Sequence, residues 1–439
     1  MADPKREITH RRVLHIAIPI VLSNATVPIL GAVDTGVIGQ MGLAAPIGAV
    51  GIGAVILTAI YWLFGFLRMG TSGLTSQAHG AGQHGEVSAM LSRVLMVGVV
   101  AGVAIVAFQV PLFWAAFAVS PASTEVESMA RDYMQIRVYS APAVIALYGV
   151  TGWLIALERT RSVLVLQLWM NGLNIGLDLW FVLSLGWGIE GVAWATFLAE
   201  WTGLAIGLWL CRAAFAVPEW RDWARVFDPI RLRTMVSVNT DILLRSLMLE
   251  AIFVSFIFLG GDMGDVTLAA NQVLIQFLHI IASALDGFAF AAEALVGQAM
   301  GARRPEQLRK SAKVASQWGV ICVVILSFLF ALFGGQIIDL MAKATEVQTE
   351  AREFLIYIVL TPIIGVGAWM LDGIFIGATR SRDMRNMMVV SLCFYICAVL
   401  LLVPVFENHG LWLALLISFV ARGISLGLKY PALEAAARA

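Results

Sequence analysis

Residues 386–406 read NMMVVSLCFYICAVLLLVPVF, without one charged side chain. At ~1.5 Å rise per residue, a helix of this length crosses the ~30 Å hydrocarbon core of a bilayer. Comparable apolar runs recur along all 439 residues. The chain is 60% hydrophobic and 13% charged, with mean hydropathy +0.85. A soluble domain of this size needs more charge to cover its surface. Segments of about ten alternating residues, the signature of a membrane barrel, are not seen. Lipid offers no water to unpaired backbone groups, so the runs are read as helices. The sequence predicts an all-α membrane protein of about twelve transmembrane helices.

Charge gives the orientation. Of 29 Lys and Arg, 22 fall in the tails and loops on one side if the N-terminus lies inside. Arg131, Arg137, Lys343 and Arg352 fall in the opposite loops, and Arg68, Arg245 and Arg422 within spans. This bias predicts that both termini are cytoplasmic, in a multi-pass protein of the bacterial inner membrane. The zero net charge gives no support to a nucleic-acid partner. Cys211, Cys322, Cys393 and Cys397 lie in apolar stretches and form no metal-binding spacing.

The chain repeats itself. Gln77-Ala78-His79-Gly80-Ala81 aligns with Gln298-Ala299-Met300-Gly301-Ala302 at an offset of 221 residues, and Gly152 and Arg159 align with Gly373 and Arg380. Residues 1–213 form a first bundle of six helices, 214–233 a cytoplasmic linker, and 234–439 a second six-helix bundle. Six spans per half return the chain to the same side. The bundles are therefore expected to be related by a pseudo-twofold axis along the membrane normal. Two such bundles facing each other leave a central cavity, and rocking one against the other alternates access.

Ionisable residues inside spans are costly and become functional candidates by default. The first half offers Asp34, Asp178 and Glu200, and the second offers Asp241, Glu250, Asp286, Glu293 and Asp372. Counted along their spans, Asp34, Asp178 and Thr196 fall in the outer half of the first bundle. Asn174 lies one turn before Asp178 on the same helix face. This group can hold a proton, or ligate Na⁺ through oxygen. The competing reading leaves Asp34 in headgroup water and pairs Asp178 with Arg68. Asp241 and Arg245 have the i,i+4 spacing of a structural ion pair. Glu200, Glu250, Asp286, Glu293 and Asp372 are candidates to line a cavity for cationic substrate, with helix–helix hydrogen bonding as the competing role. Pro28, six residues before Asp34, permits span one to bend as that acid changes protonation.

No GxxxxGK[ST] phosphate loop, HExxH motif or histidine cluster is present. No catalytic triad suggests itself, so the chain is not expected to be an enzyme or to need a cofactor beyond a coupling ion.

Several stretches resemble the multidrug and toxic compound extrusion (MATE) family: Val33-Asp34-Thr35, the Gln77–Ala81 loop, Asn174 to Asp178, and Gly186-Trp187-Gly188-Ile189-Glu190-Gly191-Val192-Ala193-Trp194-Ala195-Thr196. Asn239-Thr240-Asp241-Ile242 with Arg245, Leu285-Asp286-Gly287-Phe288-Ala289 with Glu293, Leu371 to Arg380 and Leu411-Trp412-Leu413-Ala414 look like its DNA-damage-inducible F (DinF) branch. The resemblance covers essentially the whole chain. It implies a secondary active exporter exchanging H⁺, or Na⁺, for small amphipathic organic cations. It implies a coupling-cation site at Asp34 and Asp178 with Asn174 and Thr196, and gating by a bend that Pro28 would permit. A second-bundle Na⁺ site of another branch would fall near Glu250 and Asp372, where this sequence departs from that branch. A flippase for a lipid-linked substrate, from the same wider superfamily, is the alternative. Eight acids against three arginines within the spans favour cationic cargo. The expected partners are cargo and membrane lipid, with the chain acting as a monomer.

Overall fold

The computed structural model describes residues 7–40, 44–119 and 123–438. Among them, ten helices are long and apolar enough to cross a membrane. Span one is α1 (His10–Ala25) and α2 (Val27–Gly39), broken at Thr26. Span two is α3 (Ala44–Trp62) and α4 (Phe66–Gly80), and span three is α5 (His84–Ala107) and α6 (Gln109–Val119). Span four joins α7 (Thr124–Arg137) to α8 (Ala141–Ala156) through a 3₁₀ turn. Span five, α9 (Thr160–Asp178), ends in a π-helical stretch, Leu179–Ser184, and span six is α10 (Gly188–Leu210).

Short helices α11 (Arg212–Phe215) and α12 (Trp223–Val226) lead to the long spans α13 (Pro229–Asp262), α14 (Asp265–Gly301), α15 (Pro305–Met341) and α16 (Thr345–Gly377). The last helix, α17 (Ser381–Ala436), is interrupted at Glu407, where φ is +48°. It therefore supplies two spans. With the more polar Thr160–Ser184 counted, the described helices make twelve, as the hydropathy predicts.

The duplication is written in the backbone as well as in the sequence. Left-handed residues recur at the same 221-residue spacing: Gly82 and Arg303, Glu158 and Thr379, Gly186 and Glu407. Positive φ is uncommon for Glu, Arg and Thr, so the coincidence is informative. The Glu158–Thr379 pair ends helices α8 and α16 in the same way. Arg159 N donates to Leu154 O at 2.8 Å and Arg380 N to Phe375 O at 3.0 Å, the wrap-around bond that closes a helix C-terminus. Side-chain packing repeats too. The Cβ position of Gly152 would lie 2.3 Å from the carbonyl oxygen of Arg68, and that of Gly373 2.5 Å from that of Ala289. Only hydrogen fits there, which is how membrane helices approach closely.

The chain divides into two compact units. The N-terminal unit comprises Leu22–Thr75 and Gln83–Leu232. Within it, α5 packs on α8, α9 on α10, and α3 on α7. The segment after span six is docked rather than trailing. Buried Arg93 on α5 donates to the carbonyls of Val226 (2.8 Å) and Arg225 (2.5 Å) and to Glu86 (2.5 Å), while Ser92 Oγ donates to Trp220 O at 2.6 Å.

The C-terminal unit comprises Met1–Val21, Ser76–Gly82 and Arg233–Ala439. Its largely aliphatic core includes aromatic pairs, with Phe256 edge-on to Trp412 (4.8 Å between centroids) and Phe277 edge-on to Phe330 (5.1 Å). The two copies of the repeated pentapeptide meet inside it. A Cβ on Gly80 would sit 2.0 Å from Gln298 O, and one on Gly301 1.9 Å from Gln77 O. Gln77 Nε2 also donates to Gly377 O at 3.0 Å and to Thr379 Oγ1 at 2.9 Å. Arg12, counted above among the loop cations, is buried here and donates to Gln298 Oε1 at 3.1 Å.

Candidate functional site

In the N-terminal unit α2, α9 and α10 pack together. Their polar residues fall on the inward faces because the opposite faces are apolar and exposed. On α9, Asn171, Asn174 and Asp178 recur at i, i+3 and i+7 and are all buried. Asp178 is 0% exposed. Its carboxyl faces that of Asp34 on α2 within hydrogen-bonding reach. Among the described residues no group donates to either Asp178 oxygen or to Asp34 Oδ1, and all three atoms are buried. Asp178 does not pair with Arg68, so the competing reading of this acid fails.

Asn174 Nδ2 donates to Thr196 Oγ1 at 3.2 Å, and Thr196 in turn donates to Val192 O at 3.0 Å. That leaves Asn174 Oδ1 buried and without a donor among the described residues. The structure thus gathers buried oxygens of Asp34, Asp178, Asn174 and Thr196 on three neighbouring helices. Carboxylate, amide and hydroxyl oxygens are hard ligands suited to a proton or an alkali cation, not to a soft metal.

The break in span one is tied to the same helix. Asn171 Nδ2 donates to Thr26 Oγ1 at 2.8 Å, and Gln167 Nε2 to Asn171 Oδ1 at 2.9 Å. Thr26 caps the preceding turn by donating to Ser23 O at 2.7 Å. Pro28 sits in the first turn of α2, where its missing N–H costs nothing. The interruption between α1 and α2 therefore falls at Thr26, and Pro28 starts the next helix. Immediately after Asp178 the chain becomes π-helical, an irregularity often found at functional sites.

Arg137 was assigned by hydropathy to an outer loop, and the structure corrects this. It closes α7 inside span four with a side chain only 11% exposed. Nη2 donates to Glu200 at 2.8 Å and Nη1 to Tyr133 Oη at 2.9 Å. Tyr61 Oη donates to the Arg137 carbonyl at 3.0 Å. Arg137 is also the cation whose charge acts on both Asp34 and Asp178. Glu200 therefore binds Arg137 beside the carboxylate pair, and it is not an open cavity acid. Sequence reasoning missed Arg137, Asn171 and Thr26. The polar stripe Gln167-Asn171-Asn174-Asp178 was the available signal for Asn171.

The second-half acids are dispersed. The expected Asp241–Arg245 ion pair does not form. Asp241 binds Arg385 at 2.5 Å and accepts from Ser381 Oγ at 3.0 Å. Arg245 binds Asp372, which also has Arg422 3.9 Å away. An i,i+4 spacing makes a pair available, but buried acids on neighbouring helices compete better once packing removes water. Glu250 is exposed and has no ion-pair partner among the described residues. Glu293 is fully buried on α14, and Asp286, two turns earlier, is half-buried. These acids do not form one cluster.

The fold has counterparts in known proteins. The family model MatE matches the chain twice, over residues 19–180 and 242–403. The chain belongs to the MATE family. The double match falls once in each half, as the repeat requires. The chain is 38% identical over 421 residues to the DNA damage-inducible protein F of Escherichia coli K12, covering 94% of this chain and 90% of that one. It is 25% identical over 403 residues to a probable multidrug resistance protein NorM of Synechococcus, covering 86% and 83%. In structure it resembles the Vibrio cholerae MATE transporter VcmN in the bent form, with TM-score 0.85 and 19% identity over 98% and 97% of the chains. It also resembles a transporter of the wider MOP superfamily from Pyrococcus furiosus, described as having a binding pocket of reversed polarity, with TM-score 0.87 and 17% identity over 100% and 97%. As a MATE member this chain is a multi-pass membrane transporter of the multidrug and toxic compound extrusion type, and not an enzyme.

Proposed function

We propose that this MATE protein expels small amphipathic organic cations from the bacterial cytoplasm in exchange for protons, by alternating access, with both termini cytoplasmic. The observation that carries the reading is the buried Asp34–Asp178 pair, in which Asp34 Oδ1 and both Asp178 oxygens have no donor among the described residues. Two carboxylates held together out of water repel each other unless a proton or cation sits between them. The pair is therefore a place where a cation is taken up and released, and its occupancy alters the force between α2 and α9. Asn171, two turns from Asp178, holds the Thr26 break, so a shift of α2 against α9 acts at the break in span one. The driving force is adequate, since one charge crossing 100 mV supplies about 2.3 kcal/mol before any pH gradient is added. Na⁺ is the alternative ion, with Asn174 Oδ1 and Thr196 Oγ1 completing an oxygen set.

The test is reconstitution in liposomes with an imposed pH or Na⁺ gradient, following ethidium flux. A pH gradient without Na⁺ is expected to drive flux, and Asp34→Asn or Asp178→Asn to reduce it to the protein-free background. Flux driven by Na⁺ alone would replace the proton with sodium at the same site. Flux indifferent to both substitutions would remove the site assignment.

A further inference from the structure

The N-terminal unit also carries a groove of about 980 Å³ along α6, α7 and α10, outside the carboxylate cluster. Its volume is that of a small-molecule pocket. One wall is a face of α10, where Trp194, Phe197 and Trp201 recur at i, i+3 and i+7. Thr196 and Glu200 lie on an adjacent, buried face of the same helix. The rings support each other: Trp194 and Phe197 meet edge-on at 5.4 Å, and Trp201 Nε1 donates to Tyr139 O at 3.2 Å. Asp132 and Glu190 line the same groove, both exposed and neither with an ion-pair or hydrogen-bond partner among the described residues. Arg131, also in the lining, is committed elsewhere. Glu127 accepts from its Nε at 3.0 Å and its Nη2 at 2.7 Å, and its guanidinium lies 4.6 Å over the Phe117 ring.

We propose that this groove is a second binding site, for an amphipathic organic cation. Its apolar body lies on Trp194, Phe197 and Trp201, and its charged head is held by Asp132 and Glu190. Aromatic faces and carboxylates both attract a weakly hydrated cation. The charges select among other occupants. An anionic amphiphile meets two acids. A zwitterionic phospholipid needs a cation for its phosphate, and Arg131 is already bound. The site is separate from Asp34 and Asp178, so cargo held here does not compete with the coupling ion.

The proposal takes its cargo class from the function above, but binding is read without a gradient, so the two fail separately. The full-length Asp34→Asn/Asp178→Asn protein, in phosphatidylglycerol nanodiscs, is titrated with radiolabelled dodecyltrimethylammonium by equilibrium dialysis. A saturable component is expected, weakened at least tenfold by Asp132→Asn/Glu190→Gln and by Trp194→Ala/Trp201→Ala. Dodecanoate is expected to show no saturable binding. The acids are exposed, so their neutralisation leaves the fold intact, and an unchanged melting curve verifies this. Saturable binding that survives Asp132→Asn/Glu190→Gln would overturn the proposal. So would its abolition by phosphatidylethanolamine in the nanodisc, which would assign the groove to lipid.

Discussion

Arg137 and Glu200, 63 residues apart on α7 and α10, meet at 2.8 Å inside the N-terminal unit. The pair is almost fully enclosed. Removing Arg137 strands a buried carboxylate, which typically costs about 3–5 kcal/mol. Arg137→Gln is therefore expected to lower the melting temperature in detergent markedly, and Arg137→Gln/Glu200→Gln to recover part of the loss. Arg137→Lys should restore charge but not stability, because one ammonium cannot span Tyr133 and Glu200 as the guanidinium fork does. Equal melting of the single and double variants would show that the pair is not coupled.

Pairing in the C-terminal unit is tested by a double-mutant cycle. Asp241→Asn and Arg385→Gln are expected to couple by about 0.5–3 kcal/mol in thermal or denaturant unfolding. Asp241→Asn and Arg245→Gln should be close to additive, since Arg245 belongs to Asp372. Coupling to Arg245 alone would restore the helical i,i+4 pair.

The meeting of the repeated pentapeptides depends on the absence of two side chains. A Cβ at Gly80 or Gly301 would enter a backbone carbonyl oxygen. Gly80→Ala and Gly301→Ala are each expected to destabilise by about 1–3 kcal/mol, the usual cost of overpacking. Gly172→Ala on α9, with nothing within 4 Å of the new atom, should be neutral or slightly stabilising. Melting temperatures of the three variants check this directly.

Asn171 links the helix bearing Asp178 to the break at Thr26. Asn171→Leu is expected to lower gradient-driven ethidium flux about tenfold or more while leaving Asp34 and Asp178 in place. Thr26→Val, which removes the same hydrogen bond from the other side, should reproduce the effect. If both variants transport normally, the break at Thr26 is a static feature.

Asp228 stands ahead of α13, outside the membrane, and its Oδ1 accepts from the backbone N–H groups of Arg231 (3.1 Å) and Ile230 (2.8 Å). The bond from Arg231 leads in holding this carboxyl below the ordinary aspartate range. A lowered folded-state value means its contribution is present above the unfolded aspartate value and is lost as pH falls through the folded one. Hydrogen exchange at the Ile230 and Arg231 amides should therefore show protection at neutral pH that fades in that acid window, and Asp228→Asn should flatten the dependence.

The sequence by itself determined the spans, their number and the duplication. Hydropathy is a local property, and a helix in lipid satisfies its own backbone, so a run such as 386–406 needs no partner to be recognised. The 221-residue offset likewise survives in residues that end helices or admit a close carbonyl, such as Gly80 with Gly301 and Gly152 with Gly373. The same counting along spans put Asp34, Asp178 and Thr196 in the outer half of the first bundle, with Asn174 one turn before Asp178, and α2, α9 and α10, which carry them, pack together. Only the tertiary structure decided which acid meets which base. Arg245 joins Asp372 across 127 residues instead of Asp241 across four, and Arg137 leaves its apparent loop to stand beside the carboxylates. A buried charge takes the partner that helix packing delivers, because desolvation makes the nearest fully enclosed opposite charge outweigh any preference set by spacing along one helix.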